Sequence, residues 1–184
     1  MIGGKIKSNK GFTILELLVA MSIFVLIVAS SAGLFATALR VQRNSIAYQQ
    51  LLDQTSYLME YMSRAVRMAR KDIASSLPGS PADGACTGTA KLNYAFLNQC
   101  LRFRNYKDQC QQFCLVGEGI VDGSGNNLTS SDLRVLTFGV VLSGETQSDN
   151  EQPKVSFDID IEGRENAKIT IQTAVSQRNL DVRR

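Results

Sequence analysis

Few side chains in this 184-residue chain are of types that could do chemistry, and their spacing narrows what that chemistry could be. The chain has four cysteines, Cys86, Cys100, Cys110 and Cys114, and no histidine, which excludes a Cys–His nucleophile. Zinc sites favour close pairs such as C-x2-C, which these spacings lack. The even count reads instead as two disulfides made in an oxidising compartment. Asp158, Asp160 and Glu162 could do acid–base work or hold calcium. They alternate with Val155, Phe157, Ile159 and Ile161, however, so they read as the solvent face of a strand with Lys168 across the next turn. Asp122-Gly-Ser-Gly-Asn-Asn has the composition of a calcium loop, but an EF-hand needs glutamate at its twelfth position, where Leu133 stands. A hairpin turn is the reading that remains.

Arg64, Arg67, Arg70 and Lys71 form a basic patch without interleaved aromatic rings, and without Lys5, Lys7 and Lys10 at the N-terminus the formal charge of +3 falls to 3 − 3 = 0, which leaves no broad footprint for nucleic acid. The patch reads as a solvated helix face or a subunit contact. No phosphate loop, nucleophile triad or cofactor fingerprint is present. The expectation is a protein with no catalytic residue, no metal and no cofactor, and hence not an enzyme.

One carboxylate remains, and it stands in the wrong place for a soluble protein. From Phe12 to Leu39 the only formal charge is Glu16, and Lys5, Lys7 and Lys10 precede the stretch. A run of this length can cross a bilayer, for which about 20 apolar residues suffice. A secretory signal would have a shorter apolar core with a small-residue cleavage site after it. A plain anchor explains the length and the lysines but leaves Glu16, whose insertion costs up to about 3 kcal/mol.

Lys10-Gly11-Phe12-Thr13-Ile14-Leu15-Glu16-Leu17-Leu18 resembles the processing motif of type IV pilins and of the pseudopilins of type II secretion. The resemblance implies that a prepilin peptidase cuts between Gly11 and Phe12 and methylates the new amine of Phe12. It implies that Glu16 neutralises that amine on a neighbouring subunit, an attraction strengthened by the low dielectric. The partners implied are other pilin or pseudopilin subunits, the peptidase, membrane lipid and an inner-membrane assembly platform driven by a cytoplasmic ATPase; nucleic acid is not expected. The localisation implied is the inner membrane, single-pass, with the head outside the cytoplasm and in a surface filament after assembly. Many major pilins carry a proline within the apolar helix; this chain has Ser30, Ser31 and Gly33 there instead.

The elements that must position these residues follow from period. Tyr48, Leu51, Leu52, Thr55, Leu58, Met59, Met62, Ala65, Val66, Ala69 and Ile73 recur at three and four, which predicts an amphipathic helix ending near Ser75, before Pro78 and Pro81. Beyond the Ser-, Pro- and Gly-rich stretch to Gly88 the period becomes two. Leu101 and Phe103 alternate with Arg102 and Arg104, and Phe113 and Leu115 with Gln112 and Cys114. Leu136, Phe138, Val140 and Leu142 form a further face, then the Val155–Ile161 series, then Ile169, Ile171, Thr173 and Val175. An antiparallel sheet of four or five strands, one face on the helix stripe, is expected. If Cys110–Leu115 is a strand, Cys110 and Cys114 lie about 13 Å apart and cannot bond. A hairpin near Lys107-Asp108 brings Cys100 to Cys114 and leaves Cys86 for Cys110.

The fold class read from the sequence is therefore α+β and pilin-like. Residues 1–11 are the leader, 12–39 the membrane half of the helix, 40–75 its amphipathic half and 76–184 a β-rich head. Tyr57-Leu-Met-Glu-Tyr-Met-Ser-Arg-Ala-Val-Arg67 and Ser176-Gln-Arg-Asn-Leu180 resemble minor pilins and J-type pseudopilins. The competing reading is a membrane-tethered adhesin or DNA-binding module whose helix serves only as a stalk.

Overall fold

A first helix, α1 (Ile14–Arg67), carries two different surfaces in one element. The computed structural model describes residues 11–74, 78–89, 91–149 and 151–178. The chain divides into two units, Met1–Arg43 and Asn44–Arg184, and α1 contributes to both. In the first unit every described residue is exposed. Its hydroxyls do not reach out for water: Ser22 donates to Val19 O, Ser30 to Leu26 O and Ser31 to Ile27 O, each at 2.8 Å, and Thr37 to Gly33 O at 3.0 Å. Back-bonding of this kind satisfies polar groups within the helix, as an apolar surrounding requires. α1 is long and apolar enough there to cross a membrane.

In the second unit α1 buries one stripe: Ala47, Leu51, Thr55, Leu58, Met59, Met62 and Val66. The strands that cover it are β1 (Tyr94–Leu97), β2 (Cys100–Arg104), β3 (Cys110–Val116), β4 (Gly119–Asp122), β5 (Arg134–Ser143), β6 (Lys154–Glu162) and β7 (Lys168–Ser176). They form two antiparallel sheets, β1-β2-β3-β4 and β5-β6-β7, where one sheet of four or five strands was expected. The fold class, α+β with antiparallel sheets beside a long N-terminal helix, stands. The extra strands β1 and β4 have four residues each, too few to establish a period of two.

One core joins both sheets to the stripe. It takes Leu101, Phe103, Phe113 and Ile120 from the first sheet, and Phe138, Val155, Phe157, Ile159 and Ile161 from the second. Phe103 and Phe113 meet at 5.6 Å between centroids, and Tyr61 meets Phe113 edge-on at 5.9 Å, both within the usual aromatic range. Each fully buried apolar side chain of this kind contributes about 1.5–3 kcal/mol. In the β5–β6 connection, Gly144 has φ +62°, and a Cβ there would fall 2.8 Å from Gln152 O, so this turn admits only glycine.

Two local readings are corrected. Leu136, placed with Phe138 on the buried face, is 46% exposed, because β5 has a bulge between Val135 and Thr137 that shifts parity by one. Val135 takes the inward place and is 3% exposed. The helix ends at Arg67, not near Ser75, which lies outside the described residues. Ala69 is buried as its spacing suggested, but the chain has already left the helix to bridge Arg70 to Arg104 of β2, Arg70 N donating to Arg104 O at 2.9 Å. The last helical carbonyls are satisfied by other elements. Tyr94 Oη donates to Val66 O at 2.8 Å, and Arg178 N to Arg67 O at 2.8 Å.

Candidate assembly site

Gly11, Phe12, Thr13 and Glu16 lie at the start of α1. Thr13 serves as the cap: its Oγ1 accepts from Glu16 N at 3.2 Å and its carbonyl accepts from Leu17 N at 3.2 Å. Thr-x-x-Glu is the capping-box spacing, a signal present in the sequence that the family motif overshadowed. Glu16 sits in the first turn, where the helix dipole favours an anion. Among the described residues its carboxylate is in no ion pair.

Phe12 is 78% exposed. Gly11 has no atom within 4 Å of where a Cβ would stand, and its backbone is not left-handed, so nothing in the chain's own fold calls for glycine. Lys5, Lys7, Lys10 and the rest of the leader before Gly11 lie outside the described residues.

The head's candidate groups are engaged with one another. Asp160 accepts from Thr170 Oγ1 at 2.6 Å, Asp158 from Gln172 Nε2 at 3.3 Å, and Glu162 pairs with Lys168 at 3.6 Å. Asp122 folds its own turn, accepting from the backbone N–H groups of Ser124 (2.8 Å) and Asn126 (2.9 Å). Those bonds, that from Asn126 foremost, hold its carboxyl below the usual range. In the basic patch Arg64 pairs with Glu60 and Arg70 with Asp108. No group of three His, Cys, Asp or Glu able to hold a metal occurs among the described residues. A cleft of about 530 Å³ opens between Tyr61, Arg64 and Met68 of α1, the β2–β3 turn at Tyr106 and Lys107, and the loop after β4.

The disulfides are Cys86–Cys110 and Cys100–Cys114, the second joining residues directly opposite in the β2–β3 register. What the sequence reading missed is the pair they flank. Arg104, expected to face outward by alternation, is fully buried with Asp72. Its Nε and Nη2 donate to Asp72 Oδ1 at 3.1 and 2.9 Å, and it also donates to Ser80 Oγ, Pro81 O and Ala82 O. Asp72 Oδ2 accepts from Cys86 N, Thr87 N and Thr87 Oγ1. All three guanidinium nitrogens and both Asp72 oxygens thus have partners, which such a buried pair needs if its burial is not to be ruinous. The pair and the Cys86–Cys110 bond fix the segment after α1 to the first sheet.

Residues 6–32 match the prokaryotic N-terminal methylation motif. Gly11, Phe12 and Glu16 all lie within the matched segment. The chain is also similar to the pilin-like protein PilA3 of Thermus thermophilus, 32% identical over 88 residues, an overlap of 44% of this chain and 38% of that protein. The chain thus spans well under half the length of the curated relative it matches. No solved structure matches it significantly.

Proposed function

We propose that this protein is a minor pilin or pseudopilin, a subunit of a type IV pilus or of a secretion filament of the same kind. The observation that carries the reading is the methylation motif over residues 6–32, with Glu16 the single charge inside the apolar stretch. In this reading a prepilin peptidase removes residues 1–11 and methylates the amine of Phe12. The segment Phe12–Leu39 holds the subunit in the inner membrane by one pass, and the head, stapled by two disulfides, lies on the oxidising side.

Assembly then exchanges lipid for neighbouring helices around the same apolar surface. Glu16 meets the Phe12 amine of an adjacent subunit, and the cost of carrying each charge in low dielectric is what makes the pair a register device. A subunit with this carboxylate has a neighbour to pair with, which favours a place within the stack over its extreme tip.

The test is the mature N-terminus, read by mass spectrometry in cells with and without prepilin peptidase. The expected product begins at N-methylated Phe12 and disappears without the peptidase. A chain still beginning at Met1 in both cells would overturn the proposal and leave an anchored head on a helical stalk.

A further inference from the structure

The cleft of about 530 Å³ beside α1 falls in the usual size range of small-ligand sites. Two tyrosine rings line it. Tyr61, on α1, rests edge-on against Phe113 and is 39% exposed; Tyr106, in the β2–β3 turn, is 50% exposed, with Lys107 Nζ 5.5 Å from its ring centre. Beyond the rings and Cys110, the apolar lining is Ala65 and Met68.

Three side-chain amides line the cleft as well. Asn105 uses its Oδ1 in the turn, accepting from Lys107 N at 2.9 Å and Gln109 N at 3.0 Å, which leaves its Nδ2 for a ligand. Gln109 and Gln111 make no side-chain hydrogen bond among the described residues. An amide both donates and accepts, so these groups suit a ligand whose polar groups do the same. The walls are held before any ligand arrives. Cys110 is tied to Cys86, Asn105 N donates to Gln109 O at 2.9 Å across the turn, and Asp122 closes the loop after β4 through Ser124 and Asn126. A preformed site loses less ordering entropy on binding.

The charges around the cleft balance. Its lining carries Arg64, Lys107 and Asp122, and Arg64 is paired with Glu60, two cations against two anions. Arg70 and Asp108 pair with each other beside it, and Arg67 and Lys71 do not line it. An anionic ligand would meet Asp122 as well as Lys107, and an apolar one would find little cover.

We propose that this cleft binds a neutral saccharide. A sugar ring presents C–H faces to stack on Tyr61 and Tyr106. Its hydroxyls accept from Asn105 Nδ2 and both donate to and accept from the amides of Gln109 and Gln111. The inference concerns the head alone and does not depend on processing or assembly.

The probe is cellobiose, a two-ring sugar for two tyrosines, with N,N′-diacetylchitobiose as a second neutral disaccharide. Each is titrated to about 20 mM into the full chain in micelles of a detergent without a sugar headgroup. The side-chain amide NMR signals of Asn105, Gln109 and Gln111 are read. Expected are saturable shifts of these signals with at least one of the two sugars, at a Kd below about 10 mM. Tyr106→Ala should weaken that binding about threefold to tenfold, the loss expected for one stacked ring, and Tyr106→Phe should keep it. No saturable shift with either sugar overturns the proposal. So does binding that is indifferent to Tyr106→Ala, or whose shifts fall outside the cleft. Glucuronate that binds more than about tenfold tighter than both sugars, and loses that margin in Lys107→Gln, would make the cleft an anion site and overturn it as well.

Discussion

Within one helix, residues 14–39 and residues 47–66 obey opposite rules. The first stretch is apolar on every side, returns its hydroxyls to its own carbonyls and is exposed throughout in the isolated chain. The second buries a single stripe under two sheets. Helix propensity does not separate them, since neither contains proline. What separates them is where their partners are. The head supplies the cover for Leu51, Leu58 and Met62, while among the described residues nothing covers Phe24, Leu26 and Ile27, which lipid or other helices would cover in the proposed filament subunit. Glu16, the only charge between Phe12 and Leu39, is likewise in no ion pair among the described residues.

The comparison breaks most sharply at Glu16. Glu16→Gln should leave the unfolding midpoint of the head within about 0.5 kcal/mol of the unaltered protein, as for an exposed site away from the core. It should nonetheless remove the subunit from filaments sheared off the cell, read by immunoblot. Normal incorporation of the glutamine variant would show that the carboxylate is a helix-cap residue only.

The opposite effect belongs to the head. Arg104→Ala or Asp72→Ala leaves a buried charge without its partner, so a loss of about 3–5 kcal/mol is expected in denaturant unfolding of the full chain in micelles. The cleavage proposed after Gly11 should continue in these variants. A smaller loss when Arg104→Met and Asp72→Leu are combined, replacing the ion pair by an apolar one, would show that the cost lies in the orphaned charge and not in the shape. Next in size are the disulfides. Closing loops of 14 and 24 residues should stabilise by about 3 kcal/mol each, so Cys100→Ser with Cys114→Ser, and Cys86→Ser with Cys110→Ser, should shift the urea midpoint by similar amounts. A much larger loss for the second pair would mean that the segment after α1 depends on that bond to hold Asp72 in place.

What was legible in the sequence follows the same division. Gly11 and Glu16 stand in a short motif, matched over residues 6–32, that can be seen without any fold. The Cys100–Cys114 bond could be read because a hairpin sets its register locally. Val155 to Ile161 could be read because β6 is central and regular, with partners on both sides. Leu136 could not, since a bulge is a one-residue slip that leaves no mark on the period until it is seen. Nor could Arg104. Alternation assigns an arginine to solvent, and only the approach of Asp72, 32 residues earlier, turns it inward. The helix end at Arg67 was hidden for the same reason, because the residues beyond it keep helical spacing while Arg70 N turns to Arg104 O of β2.

The smallest effect lies on the head's exposed turns, and its sign is fixed by hydrogen bonding. Glu118 is held below its ordinary value of 4.5, first by the hydrogen bond from Arg134. Asp122 and Asp149 are held below 3.8, chiefly by the Asn126 backbone N–H and the Thr146 hydroxyl respectively. A carboxyl whose folded pKa is lowered contributes stability that is complete above its unfolded value and is lost as the pH falls through its folded one. The head should therefore unfold at the same urea concentration from pH 7 down to about 5 and at progressively lower ones below about 4. Glu118→Gln should make that acid slope shallower without moving the neutral midpoint much, because an exposed pair contributes little at neutral pH. An unchanged slope would show that Glu118 is not among the carboxyls that set the acid sensitivity, and Asp122→Asn, which removes the carboxyl held low by the Asn126 backbone N–H, would then be the variant that flattens it.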